Sequence, residues 1–203
     1  MSLGKLFNKF GTDKSIKHKY DSVYEKFFEP IKYNKLNILE IGVWRGSGTL
    51  AFHEYFPSAT IYGLDTFQRI PMENIVPYKL ERCKLIKANS QQPYKNKLPD
   101  IKFDIIIDDA KHTPRANMLT FRNSIDMLAD DGQYFIEDVM PIDEMTIIEM
   151  QHEWVKENQA WYNHDTNNKF LNELKKSNKK IERFDLRKLT GEPDSYIIRA
   201  TNI

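Results

Sequence analysis

Short apolar runs that end in glycine or acidic residues recur along the first two thirds of the chain. Runs of this kind are typical of the strands of a parallel sheet, because such strands are buried on both faces. We predict five strands, within the segments KLNILEIG, TIYGLD, CKLIKAN, FDIIIDD and QYFIED. Apolar residues at helical spacing lie between some of them, in GTLAFHEYF and ANMLTFRNSIDML. This alternation predicts an α/β fold: a doubly wound, Rossmann-like, mostly parallel sheet with helices on both faces.

The two ends of the chain depart from this alternation. Residues 15–29 place apolar and aromatic side chains at helical spacing, and Pro30 stops the pattern. We therefore divide the chain into an N-terminal helical segment over 1–30, for which the resemblance described below implies a lid, and one domain over 31–203. A long helix is predicted over roughly 142–158. The stretch from 181 to 200 predicts a C-terminal antiparallel strand pair with a turn around 191–194.

Polar side chains directly follow several of the predicted strands. The carboxyl ends of parallel strands meet at one edge of a sheet, and ligands of such folds bind there. These side chains are therefore expected to face one crevice, together with a glycine-rich turn after the first strand. The strand-end residues are Asp65, Asn89, Asp108, Asp109, Glu137 and Asp138, and the glycines are Gly42, Gly46 and Gly48.

The glycine turn favours a nucleoside without a pyrophosphate. Its glycines let the backbone turn tightly and let a ligand approach the start of the helix. They do not form the G-x-G-x-x-G pattern of a pyrophosphate site. Asp65 ends the second strand at about the position where a carboxylate accepts hydrogen bonds from ribose hydroxyls, and Glu40 precedes the turn. The alternative is an ordinary turn beside solvated acids.

Composition and charge exclude several classes of protein. The chain has 30 basic and 29 acidic residues and a formal net charge of +1, so neither nucleic acid nor an anionic membrane is expected as a partner. No apolar run approaches the roughly 18 residues of a membrane span, and the first residues lack the plan of a signal peptide. Cys83 is the only cysteine, which excludes an intrachain disulfide and a thiolate metal cluster. We expect a cytoplasmic protein, and a homo-oligomer stays open.

The acids at the strand ends also suit metal-assisted chemistry on a hydroxyl. Carboxylates are the ligands of hard divalent cations, and neighbouring carboxylates repel one another unless a cation neutralises them. His112 follows Asp109 by three residues. A neutral histidine is too weak a base to ionise an alkyl hydroxyl alone, so a cation on the same oxygen would assist it. Solvated strand ends or helix caps are the alternative, and the residues alone leave both open.

Taken together, these segments resemble the class I S-adenosylmethionine (SAM)-dependent methyltransferases. More narrowly, they resemble the metal-dependent sugar O-methyltransferases related to macrocin and mycinamicin O-methyltransferases. The shared segments are FGTDK with H.Y at 18–20, LEIGVWRG.S, FP.A.IYGLD, DD..H and IED, which cover most of residues 10–140. The resemblance implies two cofactors, SAM and Mg²⁺. It also implies His112 as general base and three metal ligands: Asp109, Glu137 and Asp138.

Further site residues follow from the resemblance and from the predicted strand order. Glu40 and Asp65 are expected to serve SAM, and the end of the third strand is expected to lie near the adenine. The expected SAM-binding residues are Glu40, Gly42, Gly46, Gly48, Asp65, Asn89, Ser90, Gln91 and Asp108. The resemblance places the segment with Lys14, His18 and Tyr20 over the mouth of the site, where these residues would order a lid or touch substrate. A capped amphipathic helix start is the alternative.

The chain departs from the family pattern at two places. Ala110-Lys111 stands where relatives have Gly-Ser, and ANSQQ stands where they have GDQSD. Lys111 also permits the Asp-x-x-Lys register of catechol O-methyltransferases, with Lys as base. We expect an O-methyltransferase that acts on a vicinal hydroxyl of a sugar or glycosylated small molecule. A catechol-type enzyme, a non-catalytic SAM-binding protein and a nicotinamide-dependent oxidoreductase are the alternatives.

Overall fold

A seven-stranded sheet lies at the centre of the computed structural model, which describes residues 1–151 and 153–203 and, of Trp154, the backbone alone. The strand order is β3-β2-β1-β4-β5-β7-β6. The strands are β1 Asn37–Ile41, β2 Thr60–Asp65, β3 Cys83–Lys87, β4 Phe103–Asp108, β5 Leu128–Ile136, β6 Lys180–Asp185 and β7 Tyr196–Thr201. β1 to β5 are parallel, whereas β7 runs antiparallel to both β5 and β6. The predicted Rossmann-like α/β sheet and its C-terminal antiparallel pair are confirmed.

Helices cover both faces of this sheet. The first face carries α1 Leu3–Phe10, α3 Asp21–Phe28 and α4 Ser47–Tyr55, and the second carries α5 Pro114–Ser124 and α8 His164–Lys176. Short helices are α2 Asp13–Ile16, α6 Ile147–Met150, α7 Glu153–Glu157 and α9 Arg187–Thr190. Ile105 and Ile107 of β4 are buried in one core, and Ile106 in the other, which explains the unbroken apolar run. None of the helices in the described ranges is long and apolar enough to cross a membrane.

The N-terminal segment differs from the predicted helix over 15–29. Lys19 adopts a left-handed backbone with φ of 61°, so the chain turns there and α3 begins at Asp21. Helix α1 was not predicted, although its buried Leu3 and Phe7 are spaced as on one helix face. These N-terminal helices share a core with the sheet. The division at residue 30 stays a prediction.

The predicted long helix over 142–158 is wrong. Thr146 starts a new helix, because its hydroxyl accepts from the backbone N–H of Glu149 while the Glu149 carboxylate accepts from the N–H of Thr146. Helix α6 ends after one turn, and α7 follows as a separate helix. His152, which the prediction included, lies outside the described residues.

Candidate active site

A cavity of about 1190 Å³ opens where β1, β2 and β4 end. Gly42 has φ of 99°, and a Cβ there would lie 2.0 Å from the carbonyl oxygen of Asp109. The end of β1 therefore approaches the end of β4 too closely for any side chain. The predicted site residues that line the cavity are Lys14, Glu40, Gly42, Gly48, Asp65, Asn89, Ser90, Gln91, Asp109, His112 and Asp138. Those that lie outside the lining are His18, Tyr20, Gly46, Asp108 and Glu137.

Asp65 ties the end of β2 to the glycine turn. Its Oδ2 accepts hydrogen bonds from the backbone N–H of Val43 at 3.0 Å and of Trp44 at 2.9 Å, and its Oδ1 accepts from the N–H of Phe67 at 3.0 Å. The hydroxyl of Thr66 also donates to Oδ1, at 3.3 Å, so four donors match the roughly four lone-pair sites of this carboxylate. A ligand hydroxyl would therefore replace the long hydrogen bond from Thr66. The expected hydrogen bonds from Asp65 to a ribose stay a prediction.

The loop after β3 is fixed to helix α5. Asn89 Oδ1 accepts from the N–H of Gln91 at 3.0 Å. Ser90 is buried, its hydroxyl accepts from Thr120 at 3.0 Å, and its carbonyl accepts from Asn123 at 2.9 Å. These bonds hold the loop along the cavity wall. That Asn89, Ser90 and Gln91 lie beside an adenine stays a prediction.

Burial raises the pKa values of Glu40 and Asp108, and also those of Glu137 and Asp138. Burial raises the pKa of Glu40 to about 7, although Lys14 and the hydroxyl of Thr49 act in the opposite direction. A Cβ at Gly48 would lie 2.3 Å from Oε1 of Glu40, so the glycine makes room for this acid. Burial likewise raises the pKa of Asp108 to about 8, and its Oδ2 has no hydrogen-bond partner among the described residues. The expected roles of Glu40 and Asp108 toward SAM stay predictions.

Asp109, His112 and Asp138 bring one potential ligand atom each to within 4.8 Å of one another. Nε2 of His112 lies 3.8 Å from Oδ1 of Asp109 and 3.7 Å from Oδ2 of Asp138. Burial lowers the pKa of His112, but the carboxylates of Asp138 and Asp109 outweigh that effect and raise it. Two carboxylate oxygens beside an imidazole nitrogen are a donor set that fits a divalent cation.

The opposite oxygens of these carboxylates are held by the N-terminal segment. Tyr20 donates to Oδ1 of Asp138 at 2.6 Å, and the Lys14 ammonium donates to Oδ2 of Asp109 at 2.5 Å. Each carboxylate thus has one oxygen fixed and the other facing His112. Burial lowers the pKa of Lys14, but Asp109 and its neighbouring acids raise it more, so the ammonium stays charged.

Both carboxylate oxygens of Glu137 accept hydrogen bonds from residues of the N-terminal segment. Its Oε2 accepts from the ammonium of Lys14, and its Oε1 accepts from the hydroxyl of Tyr24. Glu137 is fully buried and is absent from the set of converging ligand atoms found among the described residues. Its expected role as a third metal ligand stays a prediction. Tyr24 was missed as a site residue, although it stands one helical turn after Tyr20 and so shares its face.

Asp138 adopts an uncommon backbone conformation, with φ of 51°. A non-glycine residue persists there only where its surroundings hold it, and such strain concentrates at functional sites. Tyr20 holds Asp138 twice, because its hydroxyl also accepts from the backbone N–H of Asp138 at 3.1 Å. This strain agrees with a functional role for Asp138.

The three residues expected over the mouth of the site are buried. Lys14, His18 and Tyr20 are 3%, 1% and 0% exposed. The ring of His18 stacks on Tyr20 with centroids 5.0 Å apart, and its Nδ1 lies 2.9 Å from the hydroxyl of Ser195. Of the three, Lys14 lines the cavity. That they order a lid or touch substrate stays a prediction.

Comparison with curated proteins finds sugar O-methyltransferases. No family model matches the chain. The chain is 26% identical over 145 residues to the 8-demethyl-8-(2-methoxy-alpha-L-rhamnosyl)-tetracenomycin-C 3'-O-methyltransferase of Streptomyces olivaceus, a match that covers 68% of this chain and 36% of that protein. It is 24% identical over 148 residues to the mycinamicin VI 2''-O-methyltransferase of Micromonospora griseorubida, with 68% and 36% covered. The chain therefore spans about a third of the length of these relatives.

Comparison with solved structures shows the fold. The MycE methyltransferase of mycinamycin biosynthesis, in complex with Mg and S-adenosylhomocysteine (SAH), superposes with a TM-score of 0.69 at 17% identity, over 99% of this chain and 54% of that chain. The SAH-bound methyltransferase PaMTH1 of Podospora anserina superposes with a TM-score of 0.62 at 19% identity, over 82% and 71%. The chain has the fold of the class I SAM-dependent methyltransferases, and its curated matches confirm the resemblance to the mycinamicin-type sugar O-methyltransferases.

Proposed function

We propose that the protein is a SAM- and divalent-cation-dependent O-methyltransferase acting on a vicinal hydroxyl of a sugar or glycosylated small molecule. One observation carries the proposal: Asp109, His112 and Asp138 converge on the wall of the cavity that Gly42 and Asp65 also line. The curated matches are named for O-methylation of glycosides, and the MycE structures hold Mg and SAH. These likenesses support the same chemistry here.

The residues of the chain have separate tasks in this proposal. Gly42 and Asp65 receive the nucleoside. A divalent cation held by Asp109 and Asp138 would act as a Lewis acid that lowers the pKa of an acceptor hydroxyl. Nε2 of His112 accepts the proton of that hydroxyl. SAM, when bound, would supply the methyl group: a C–O bond to the acceptor would form as the C–S bond breaks, and its electron pair would cancel the sulfonium charge in SAH.

The position of Lys111 supports His112 as the general base. In a catechol-type enzyme, Lys111 would be the base instead. The Lys111 ammonium lies 4.8 Å from the ring centroid of Trp161, and the side chain is exposed. His112 instead faces both Asp109 and Asp138. A base has to lie beside the groups that polarise the hydroxyl, and His112 meets this condition.

Methyl transfer to glycosides tests the proposal. SAH formation is followed with methyl α-L-rhamnopyranoside and a wider glycoside panel, with Mg²⁺ or with EDTA. We expect turnover that needs the metal and that falls in Asp109→Asn but not in the exposed control Asp100→Asn. Protein that binds SAH and turns over no glycoside would support the non-catalytic alternative, and transfer to catechols alone would support the catechol-type one. Protein that binds no SAH would contradict the nucleoside site.

A further inference from the structure

A second cavity, of about 310 Å³, adjoins the first and shares Asn89, Gln91 and Lys111 with it. The start of helix α5, with Arg115, and the turn before α8, with Trp161, form its other sides. Lys111 directly precedes His112 in the chain. Because His112 lines the first cavity, a molecule that extends from the second cavity past Lys111 enters the cavity where the proposed proton transfer takes place.

Among the described residues that line this second cavity, Lys111 and Arg115 are cationic and none is acidic. Within the described part of the chain, neither Lys111 nor Arg115 forms an ion pair. By contrast, Arg122 of the same helix pairs with Glu173 at 2.7 Å. Two cations without a carboxylate in a concave site produce a positive potential, which attracts an anionic ligand.

The remaining lining suits a sugar ring. Gln92 offers a carboxamide, and the hydroxyl of Thr166, which donates to Asn163, can accept a hydrogen bond. Trp161 is 54% exposed, although its indole is a large apolar group. An exposed indole beside hydrogen-bonding side chains is a common platform for a ring with one apolar face and polar edges.

We propose that the second cavity binds an anionic group, a carboxylate or a phosphate ester, carried by the sugar acceptor. Lys111 and Arg115 would then select acidic glycosides over neutral ones, while Trp161 supports the ring. This inference rests on the proposed function, because it concerns the acceptor of that reaction. It also gives Lys111 a task in binding and none in proton transfer.

Three glycosides test this selection on protein loaded with SAH and Mg²⁺: methyl β-D-glucopyranoside, its 6-phosphate and methyl β-D-glucopyranosiduronate. Affinities are measured by saturation-transfer NMR titration. At least one anionic glycoside should bind about 10- to 100-fold more tightly than the neutral one, since charge-assisted hydrogen bonds are worth that much. The preferred anion identifies carboxylate or phosphate as the natural group.

A double variant, Lys111→Gln with Arg115→Gln, should lower the affinity for the anion to that of the neutral glycoside. Because Lys111 also lines the large cavity, the variant expected to weaken anion binding and leave SAH affinity unchanged is Arg115→Gln alone. The control is Lys84→Gln, an exposed lysine of β3 that lines neither cavity. Equal wild-type affinities, binding of none of the three glycosides, or a preference that survives in the double variant would overturn the inference. SAH is titrated first, so a failure to bind SAH counts against the proposed function instead.

Discussion

The hydroxyl of Tyr20 lies 2.6 Å from Oδ1 of Asp138, a residue 118 positions later in the chain. The other oxygen of Asp138 faces Nε2 of His112 at 3.7 Å. A carboxylate whose outer oxygen is hydrogen-bonded in this way keeps its inner oxygen oriented for a metal ion. The N-terminal segment is therefore expected to contribute to cation binding through Asp138.

Replacing Tyr20 with phenylalanine keeps the ring and removes both hydrogen bonds of its hydroxyl with Asp138, together with its bond to the carbonyl of Asp194. We expect Mn²⁺ affinity to fall by roughly 10- to 100-fold, the usual effect of losing such a supporting partner. Isothermal titration calorimetry measures it, with Tyr33→Phe, at a tyrosine that is 73% exposed, as the control. An unchanged affinity in Tyr20→Phe would show that Asp138 is oriented without Tyr20.

Replacing Lys14 with methionine leaves Asp109 and Glu137 without their counter-ion. Removing one partner of a buried ion pair costs about 3–5 kcal/mol, so the free energy of unfolding in urea should fall by that order. Added Mn²⁺ should raise the melting temperature of this variant more than that of the wild type, because it supplies the missing positive charge.

The matched control for this change is Lys17→Met, since Lys17 is 42% exposed at its side chain and lies 3.6 Å from Glu192. Surface ion pairs contribute about 0–1 kcal/mol, so this control should change little. A loss of stability in Lys14→Met no larger than in the control would contradict the assigned ion pairs.

Asp65→Ala should weaken SAH binding by about 1.5–3 kcal/mol, because hydrogen bonds to a charged partner are lost. The variant also frees the backbone N–H groups of Val43 and Trp44, so its melting temperature should fall as well. Calorimetry with SAH measures the affinity, and the exposed Asp100→Ala is the control. Full SAH affinity in Asp65→Ala would remove Asp65 from the cofactor site.

His112→Ala should lower turnover by roughly 10²–10⁴-fold, which is the usual contribution of a general base. SAH and Mn²⁺ affinities should stay at the wild-type level, and the control is His164→Ala, an exposed histidine at the start of α8. Mn²⁺ affinity separates the two roles that the geometry allows. A large loss of Mn²⁺ binding would make His112 a ligand rather than the base.

Local sequence patterns predicted the sheet and the edge where the cavity opens. The ends of parallel strands share one edge, so Asp65 at the end of β2 and Asp109 after β4 could be assigned to one crevice, and both line the cavity. Gly42 was recognisable because a glycine between a buried strand and a helix indicates a close backbone approach. The C-terminal strand pair followed from its own alternation and turn.

Contacts between residues far apart in the chain could not be predicted from local sequence patterns. The ion pair of Lys14 with Asp109 joins residues 95 positions apart, and no spacing rule relates them. Lys19 adopts a left-handed backbone, which a lysine seldom does, so the sequence does not mark a turn there. The helix predicted from apolar spacing therefore continued through this position. The apolar pattern predicted a helix from about residue 142. The capping box of Thr146 and Glu149 instead starts helix α6 at Ile147.

A crystal grown with SAH and Mn²⁺, with diffraction measured at the manganese absorption edge, tests the central claim most directly. The proposed function predicts one anomalous peak in contact with Oδ1 of Asp109 and Oδ2 of Asp138. It also predicts SAH in the large cavity, with its ribose at Asp65. SAH bound elsewhere, or no anomalous peak between Asp109 and Asp138 at saturating Mn²⁺, would contradict a cation-dependent methyltransferase.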